Sequence, residues 1–249
     1  ILENGDKVKS DKVISSAGVV NTLTKLVNNH KTFNKSLLNT VVPTKSYICL
    51  YIGLNGTAEE LGLKDTNLWI YNDYDHDKSL EHSSLDINND FPVLYVSFPS
   101  TKDPTWQEQF PGKSSMEAIT FSSDEWYADW KNKEWKNRGD KYEKLKDDLT
   151  DRIMNIVYKN VPQVKDKIDY IELSTPLTVQ SLANYDKGEM YGIEHGPERF
   201  KQRWLKPKTP IKGLFLTGQD VTTVGFTSAL FSGLLTTSVI LKKNLTKDL

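Results

Sequence analysis

The sequence predicts an α+β fold: a mixed sheet with flanking helices, followed near its C-terminal end by a strand–loop–helix unit of the α/β kind. Three observations carry this. Several short runs are rich in β-branched and aromatic residues, one long stretch has helical apolar spacing, and a buried strand near the end runs straight into a glycine and then a helix. Taken in order, Ile1-Leu2, the turn at Asn4-Gly5, and Val8 through Ser15 read as a hairpin. Lys45 to Ile52, Asn67 to Tyr71, Val93 to Phe98, Met116 to Phe121 and Ile168 to Leu173 read as strands. Thr57-Ala58-Glu59-Glu60 opens a short helix, and Ser122-Ser123-Asp124-Glu125, with capping-box spacing, opens one through Trp135. From about Asp140 to Tyr158, Tyr142, Leu145, Leu149, Ile153, Ile156 and Val157 recur three or four apart, and Pro162 closes that helix.

The chain has 249 residues, with 32 basic against 33 acidic side chains and a formal charge of −1. So even a balance supplies no global field for nucleic acid or an anionic membrane. Cys49, the single cysteine, lies in the apolar run Tyr47 to Ile52 and reads as a small buried hydrophobe. A disulfide framework is excluded, and no cysteine–histidine zinc spacing is present. Asp73-Tyr74-Asp75-His76-Asp77 begins like a calcium loop, but Lys78 replaces the turn glycine and Ser84 the closing glutamate, so no metal site is expected. Sequons occur at Asn34, Asn55 and Asn244. Ile1 to Lys7 reads as the middle of a strand–turn–strand, which suggests a segment of a longer protein.

The C-terminal region is the most informative. Ile211 to Thr217 reads as a buried strand, followed by Gly218-Gln219-Asp220 and a helix beginning near Gly225. Beyond a strand's carboxyl end, a helix N-terminus offers unpaired N–H groups to an electron-rich ligand. Gly218 permits close backbone approach, and Asp220 reads equally as a hydroxyl acceptor or as a turn carboxylate. Val221 to Leu241 is uncharged, yet eight of its 21 residues are Ser or Thr, which argues against a membrane span. Gly225, Ala229, Gly233 and Thr237 form a small-residue ridge, beside a bulky face of Phe226, Leu230 and Leu234.

Several stretches resemble one family. Gly213 to Asp220 followed by Gly225 to Leu235 is similar to the C-terminal flavin segment of the all-trans-retinol 13,14-reductases, or retinol saturases, relatives of carotenoid isomerases and phytoene desaturases. Further similar stretches follow in the same order: Lys102-Asp103-Pro104-Thr105-Trp106, Phe110-Pro111-Gly112-Lys113-Ser114, Glu125-Trp126, Arg138 to Glu143, Thr175-Pro176-Leu177-Thr178, and Gly188 to His195 with Arg199 beyond.

The resemblance implies an FAD-dependent oxidoreductase with an amine-oxidase-like fold, in which this chain is the C-terminal half. No GxGxxG turn occurs in the sequence, so the adenine end of FAD is expected to lie on a missing N-terminal half of the same protein. Residues 1–21 would be flavin-domain strands, 22–207 the substrate domain, and 208–249 the flavin domain's last strand and helix. Gly218, Gln219 and Asp220 are expected beside the ribityl or pyrophosphate part of FAD. Backbone N–H groups of Gly225, Phe226 and Thr227 would face the flavin's pyrimidine edge, with Ser16, Ala17 and Gly18 the other place of close backbone approach.

The implied substrate is a hydrophobic polyene, retinol first, with NAD or NADP as electron donor and the endoplasmic reticulum membrane as location, through peripheral contact. A cis–trans isomerase or desaturase and a non-catalytic binding module are the alternatives. Tyr191, His195 and Arg199, polar residues among closely spaced glycines, are the candidate proton-handling trio. Trp126, Tyr127, Trp130 and Trp135 read either as helix packing or as the lining of a polyene tunnel.

Overall fold

The computed structural model describes residues 1–27 and 35–247, so the sequon at Asn34 lies outside the described residues. The strands are β1 (Val13–Ser15), β2 (Ser46–Asn55), β3 (Leu68–Tyr71), β4 (Val93–Ser97), β5 (Lys113–Ser122), β6 (Ile168–Ser174) and β7 (Leu214–Leu216). The α-helices are α1 (Val19–Asn21), α2 (His76–Leu85), α3 (Trp106–Gln109), α4 (Asp140–Asn160), α5 (Pro176–Ala183), α6 (Pro197–Phe200) and α7 (Phe226–Leu241). The chain forms two compact units, one of Ile1–Thr44 with Met190–Leu249 and one of Lys45–Glu189. These boundaries differ from the 21/22 and 207/208 divisions expected from sequence.

In the unit of Lys45–Glu189, five strands form one sheet in the order β3-β4-β5-β2-β6. Every neighbouring pair in it is antiparallel, so the mixed sheet expected here is not mixed; among the described residues, parallel pairing joins β1 and β7 in the other unit. Alternation decides which face is covered. Ile48, Leu50, Ile52 and Leu54 of β2, with Met116 and Ala118 of β5 and Leu94 and Val96 of β4, are buried on one side. Against them pack Leu149, Ile153 and Val157 of α4, the periodic stripe read from sequence. Tyr142 belongs to the same core, and its hydroxyl shares a 2.6 Å hydrogen bond with Thr175. Cys49 is buried, and that burial pushes its thiol up to about 12, which fits an inert packing residue.

Three expectations are corrected. The residues before β1 make no hairpin: Gly5 N–H donates to Leu2 O in a local turn, and the run to Lys12 is interrupted by exposed charged residues. Thr57 and Glu60 do exchange capping-box hydrogen bonds, but Gly62, at φ +61°, ends that segment within a turn. Asp124–Trp130 is a 3₁₀ helix and stops before Trp135, because Tyr127 and Trp130, three apart, both turn toward the core. Tyr127 is fully buried and bonded to Ser122, and Trp130 lies 5.6 Å from Tyr142, so packing rather than a tunnel accounts for these side chains. Trp135 is exposed.

Candidate functional site

The site is built within the unit of Ile1–Thr44 and Met190–Leu249, where β1 and β7 pair in parallel with Val13, Ile14 and Ser15 opposite Leu214, Phe215 and Leu216. The strand is shorter than Ile211 to Thr217 because residues 209–213 form a turn. Thr209 Oγ1 accepts from Ile211 N–H and donates to Leu214 O, while Gly213 takes φ +82°. Thr217 N–H then donates to Ser15 O at 2.9 Å, so both strands end at the same level. The loops that leave them, Ser16-Ala17-Gly18 and Gly218-Gln219-Asp220, therefore lie side by side.

Asp220 ties those loops together. Its carboxylate is 4% exposed and accepts from Val19 N–H at 2.7 Å and Ile193 N–H at 3.4 Å. A Cβ on Gly192 would come within 2.5 Å of Asp220 Oδ1, so the approach of that backbone depends on glycine. Of the two readings of Asp220, hydroxyl acceptor and turn carboxylate, the hydrogen bonds match the second, since the carboxylate is turned toward its own polypeptide. It positions the start of α1 and the segment around Gly192.

His195 and Arg199 converge on the same loop. Arg199 Nη2 donates to Asp220 O, and His195 Nε2 lies 3.3 Å from Gln219 O, an acceptor-only partner that assigns the ring proton to Nε2. His195 Nδ1 and Arg199 Nε are buried and have no hydrogen-bond partner. Burial lowers the Arg199 pKa, and the Asp220 charge opposes that shift. Tyr191 is not part of this convergence: it is 42% exposed, and its backbone N–H donates to Thr44 Oγ1.

Helix α7 begins at Gly225, which has φ +94°, and no side chain caps its first turn. The N–H groups of Phe226 and Thr227 thus lack the side-chain acceptor that usually occupies such a position. A Cβ on Gly218 or Gly225 would meet nothing within 4 Å, so both backbones are open to close approach. Ser16 and Ala17 line an open cleft of about 680 Å³ that runs beside β1 and also includes Ile14, Thr22 and Leu214.

The polarity of α7 is inverted relative to an ordinary packed helix. Its buried side chains are Ser232 and Thr236, whereas Phe226 is 84% and Leu230 67% exposed. Ser232 Oγ accepts from Gly218 N–H at 2.6 Å, and Thr236 Oγ1 donates to Leu216 O at 2.9 Å. The inward stripe is thus Ser232 and Thr236 rather than the ridge of Gly225, Ala229, Gly233 and Thr237. Ser232→Ala strips an acceptor from Gly218 N–H and is expected to cost about 1–2 kcal/mol, measured as a lowered urea midpoint at unchanged slope.

Sequence reasoning missed Gly192, Ser232 and Thr236, whose roles exist only through contacts distant in the chain. It also passed over Glu117. A carboxylate between the apolar residues Met116 and Ala118 gives little local signal, because Lys113, Ser114, Ser115, Thr120 and Ser122 make the strand polar as well.

Fold and site together define an α+β protein whose parallel strand pair ends in a glycine-bearing cradle facing an uncapped helix. It is similar to proteins named all-trans-retinol 13,14-reductase. The chain is 38% identical over 96% of its length to the all-trans-retinol 13,14-reductase of Danio rerio, and 37% identical over 95% to that of Rattus norvegicus. It is also 31% identical over its full length to a Danio rerio protein named inactive all-trans-retinol 13,14-reductase. The chain spans 41–43% of the length of these relatives. No family model matches it.

Proposed function

We propose that this chain is part of an FAD-dependent reductase that saturates one double bond of a retinol-like polyene. The carrying observation is the convergence at the end of β7: two open glycines, an uncapped helix start, and two buried nitrogens without partners around Gln219-Asp220. Those features fit a flat, electron-rich cofactor. In this reading Gly218 and Gln219 approach the ribityl or pyrophosphate part, with Asp220 holding their loop from behind. The N–H groups of Gly225, Phe226 and Thr227 face the ring's pyrimidine edge, where a helix start favours negative charge. Ser16, Ala17 and Gly18 approach from the β1 side. When bound, FAD would supply the hydride chemistry, with NAD or NADP as the source of electrons.

His195 is the stronger candidate for handling a proton, because its Nδ1 is a buried nitrogen without a hydrogen-bond partner. Arg199 holds the carbonyl of Asp220, and Tyr191 falls to a peripheral role. The exposed apolar face of α7 suits contact with an N-terminal half of the same protein, which would carry the dinucleotide-binding turn. Association with the endoplasmic reticulum membrane is proposed as peripheral. Among the described residues, no helix is long and apolar enough to cross a membrane.

The test is to purify the protein from its complete coding sequence, record the flavin absorbance, and weigh the product formed from all-trans-retinol. Bound flavin and a gain of two hydrogens are expected. Bound flavin with no mass change would assign the isomerase reaction instead. A second reading, a non-catalytic module, is favoured by the 31% identity, over 43% of that protein's length, to a relative named inactive; protein without flavin would support it.

A further inference from the structure

The uncovered face of the five-stranded sheet holds a cavity of about 470 Å³, within the size range of small-molecule sites. Tyr51 and Gly53 of β2 and Glu117 of β5 lie along the sheet, Trp106 and Phe110 stand at one side, and Tyr170 of β6 at the other. Trp106 and Phe110 pack with ring centroids 4.7 Å apart, and Trp106 Nε1 donates to Lys113 O at 2.9 Å. The indole is thereby fixed with its polar atom satisfied. A Cβ on Gly53 would press on Tyr170 Cβ at 3.1 Å, so glycine lets the Tyr170 side chain stand close to β2. Of the two stretches Lys102 to Trp106 and Phe110 to Ser114, singled out by resemblance, Trp106, Phe110, Lys113 and Ser114 line this cavity.

Glu117 is the chemical exception among these apolar surfaces. It stands opposite Tyr51 and Ser97 in the strand register, is half-buried, and accepts no hydrogen bond among the described residues. Burial raises its pKa, with the Lys102 ammonium acting against that shift. Lys102 is itself engaged, donating to Ser97 Oγ at 3.0 Å and to Asn67. At the cavity's edge the other charges neutralise each other, Lys113 Nζ lying 2.7 Å from Asp169. A cleft with aromatic walls and one half-buried carboxylate, to which no described side chain or amide donates, is complementary to a long, flat, apolar molecule bearing one hydroxyl.

We propose that this cavity seats the hydroxyl end of the polyene alcohol, whose O–H donates to the Glu117 carboxylate while Trp106, Phe110, Tyr51 and Tyr170 hold the conjugated chain. The inference rests on the retinol-like substrate proposed above and adds where on this chain the substrate is recognised.

The test uses the full-length protein and two probes, all-trans-retinol and the hydrocarbon of the same skeleton lacking the hydroxyl. Binding is followed by quenching of tryptophan fluorescence through energy transfer to the polyene. Glu117→Leu is expected to weaken retinol binding about tenfold or more and hydrocarbon binding less than about threefold, since a hydrogen bond to a charged group is lost for the alcohol alone. Glu117→Gln, which keeps a hydrogen-bond acceptor, should lose only part of the retinol affinity. Trp106→Leu should weaken both ligands alike. The proposal is overturned if Glu117→Leu and Glu117→Gln both leave retinol affinity within about twofold of the parent, or weaken both ligands equally. If that happens while the parent still saturates retinol, the proposed activity stands and only this seat is wrong. If the parent takes up neither ligand, both fall.

Discussion

Gly188→Ala is expected to destabilise the unit of Lys45–Glu189 by about 3 kcal/mol, a large fraction of the stability of a single domain. Two effects add. Gly188 has φ +63°, where a side chain costs roughly 1–2 kcal/mol. Its new Cβ would also lie 2.3 Å from Pro176 O and 2.5 Å from Pro176 Cα. Both atoms are backbone, and Pro176 opens α5 just after the capping box of Thr175, so the obstruction cannot rotate away. Gly112→Ala is the matched control. It has φ +70° but nothing within 4 Å of its Cβ, so it should carry the conformational cost alone. Urea midpoints at equal slope make the comparison, and equal shifts for the two variants would contradict the steric account.

Asp220→Ala is expected to cost about 3–5 kcal/mol. It leaves the buried N–H groups of Val19 and Ile193 without an acceptor and removes the negative charge beside buried Arg199. Asp220→Asn keeps one carbonyl acceptor and should lose less. Because Asp220 holds Val19, next to Gly18, and lies against Gly192, the alanine variant of the full-length protein should lose bound flavin along with stability. A folded variant with normal flavin content and spectrum would remove Asp220 from the cofactor proposal.

Much of the fold was legible in the sequence where one local signal sufficed. The α4 stripe, the five sheet strands and the start of α7 at Gly225 follow from periodicity, β-branched runs and glycine placement. What failed to show depended on partners far along the chain. Val8 through Ser15 reads as a strand, and Val13–Ser15 is one, but its partner is the distant β7 rather than Ile1-Leu2, a pairing no local hairpin signal encodes. Asp220 reads equally as a ligand acceptor or a turn carboxylate, and sequence does not choose, because it shows a carboxylate after a glycine but not the amides of Val19 and Ile193 that it accepts from. Glycine spacing singles out His195 and Arg199, and both side chains reach the Gln219-Asp220 backbone. Tyr191 met the same criterion, yet its side chain lies apart, since spacing along an irregular loop does not fix direction.

The hydroxyl-lined joint between α7 and β7 carries a thermal consequence. Cohesion between hydrocarbon surfaces fades as water cools, and a helix seated by oil alone loosens toward the freezing point. Ser232 and Thr236 fasten α7 through directional bonds to Gly218 and Leu216 instead, so this seam should keep its grip in the cold.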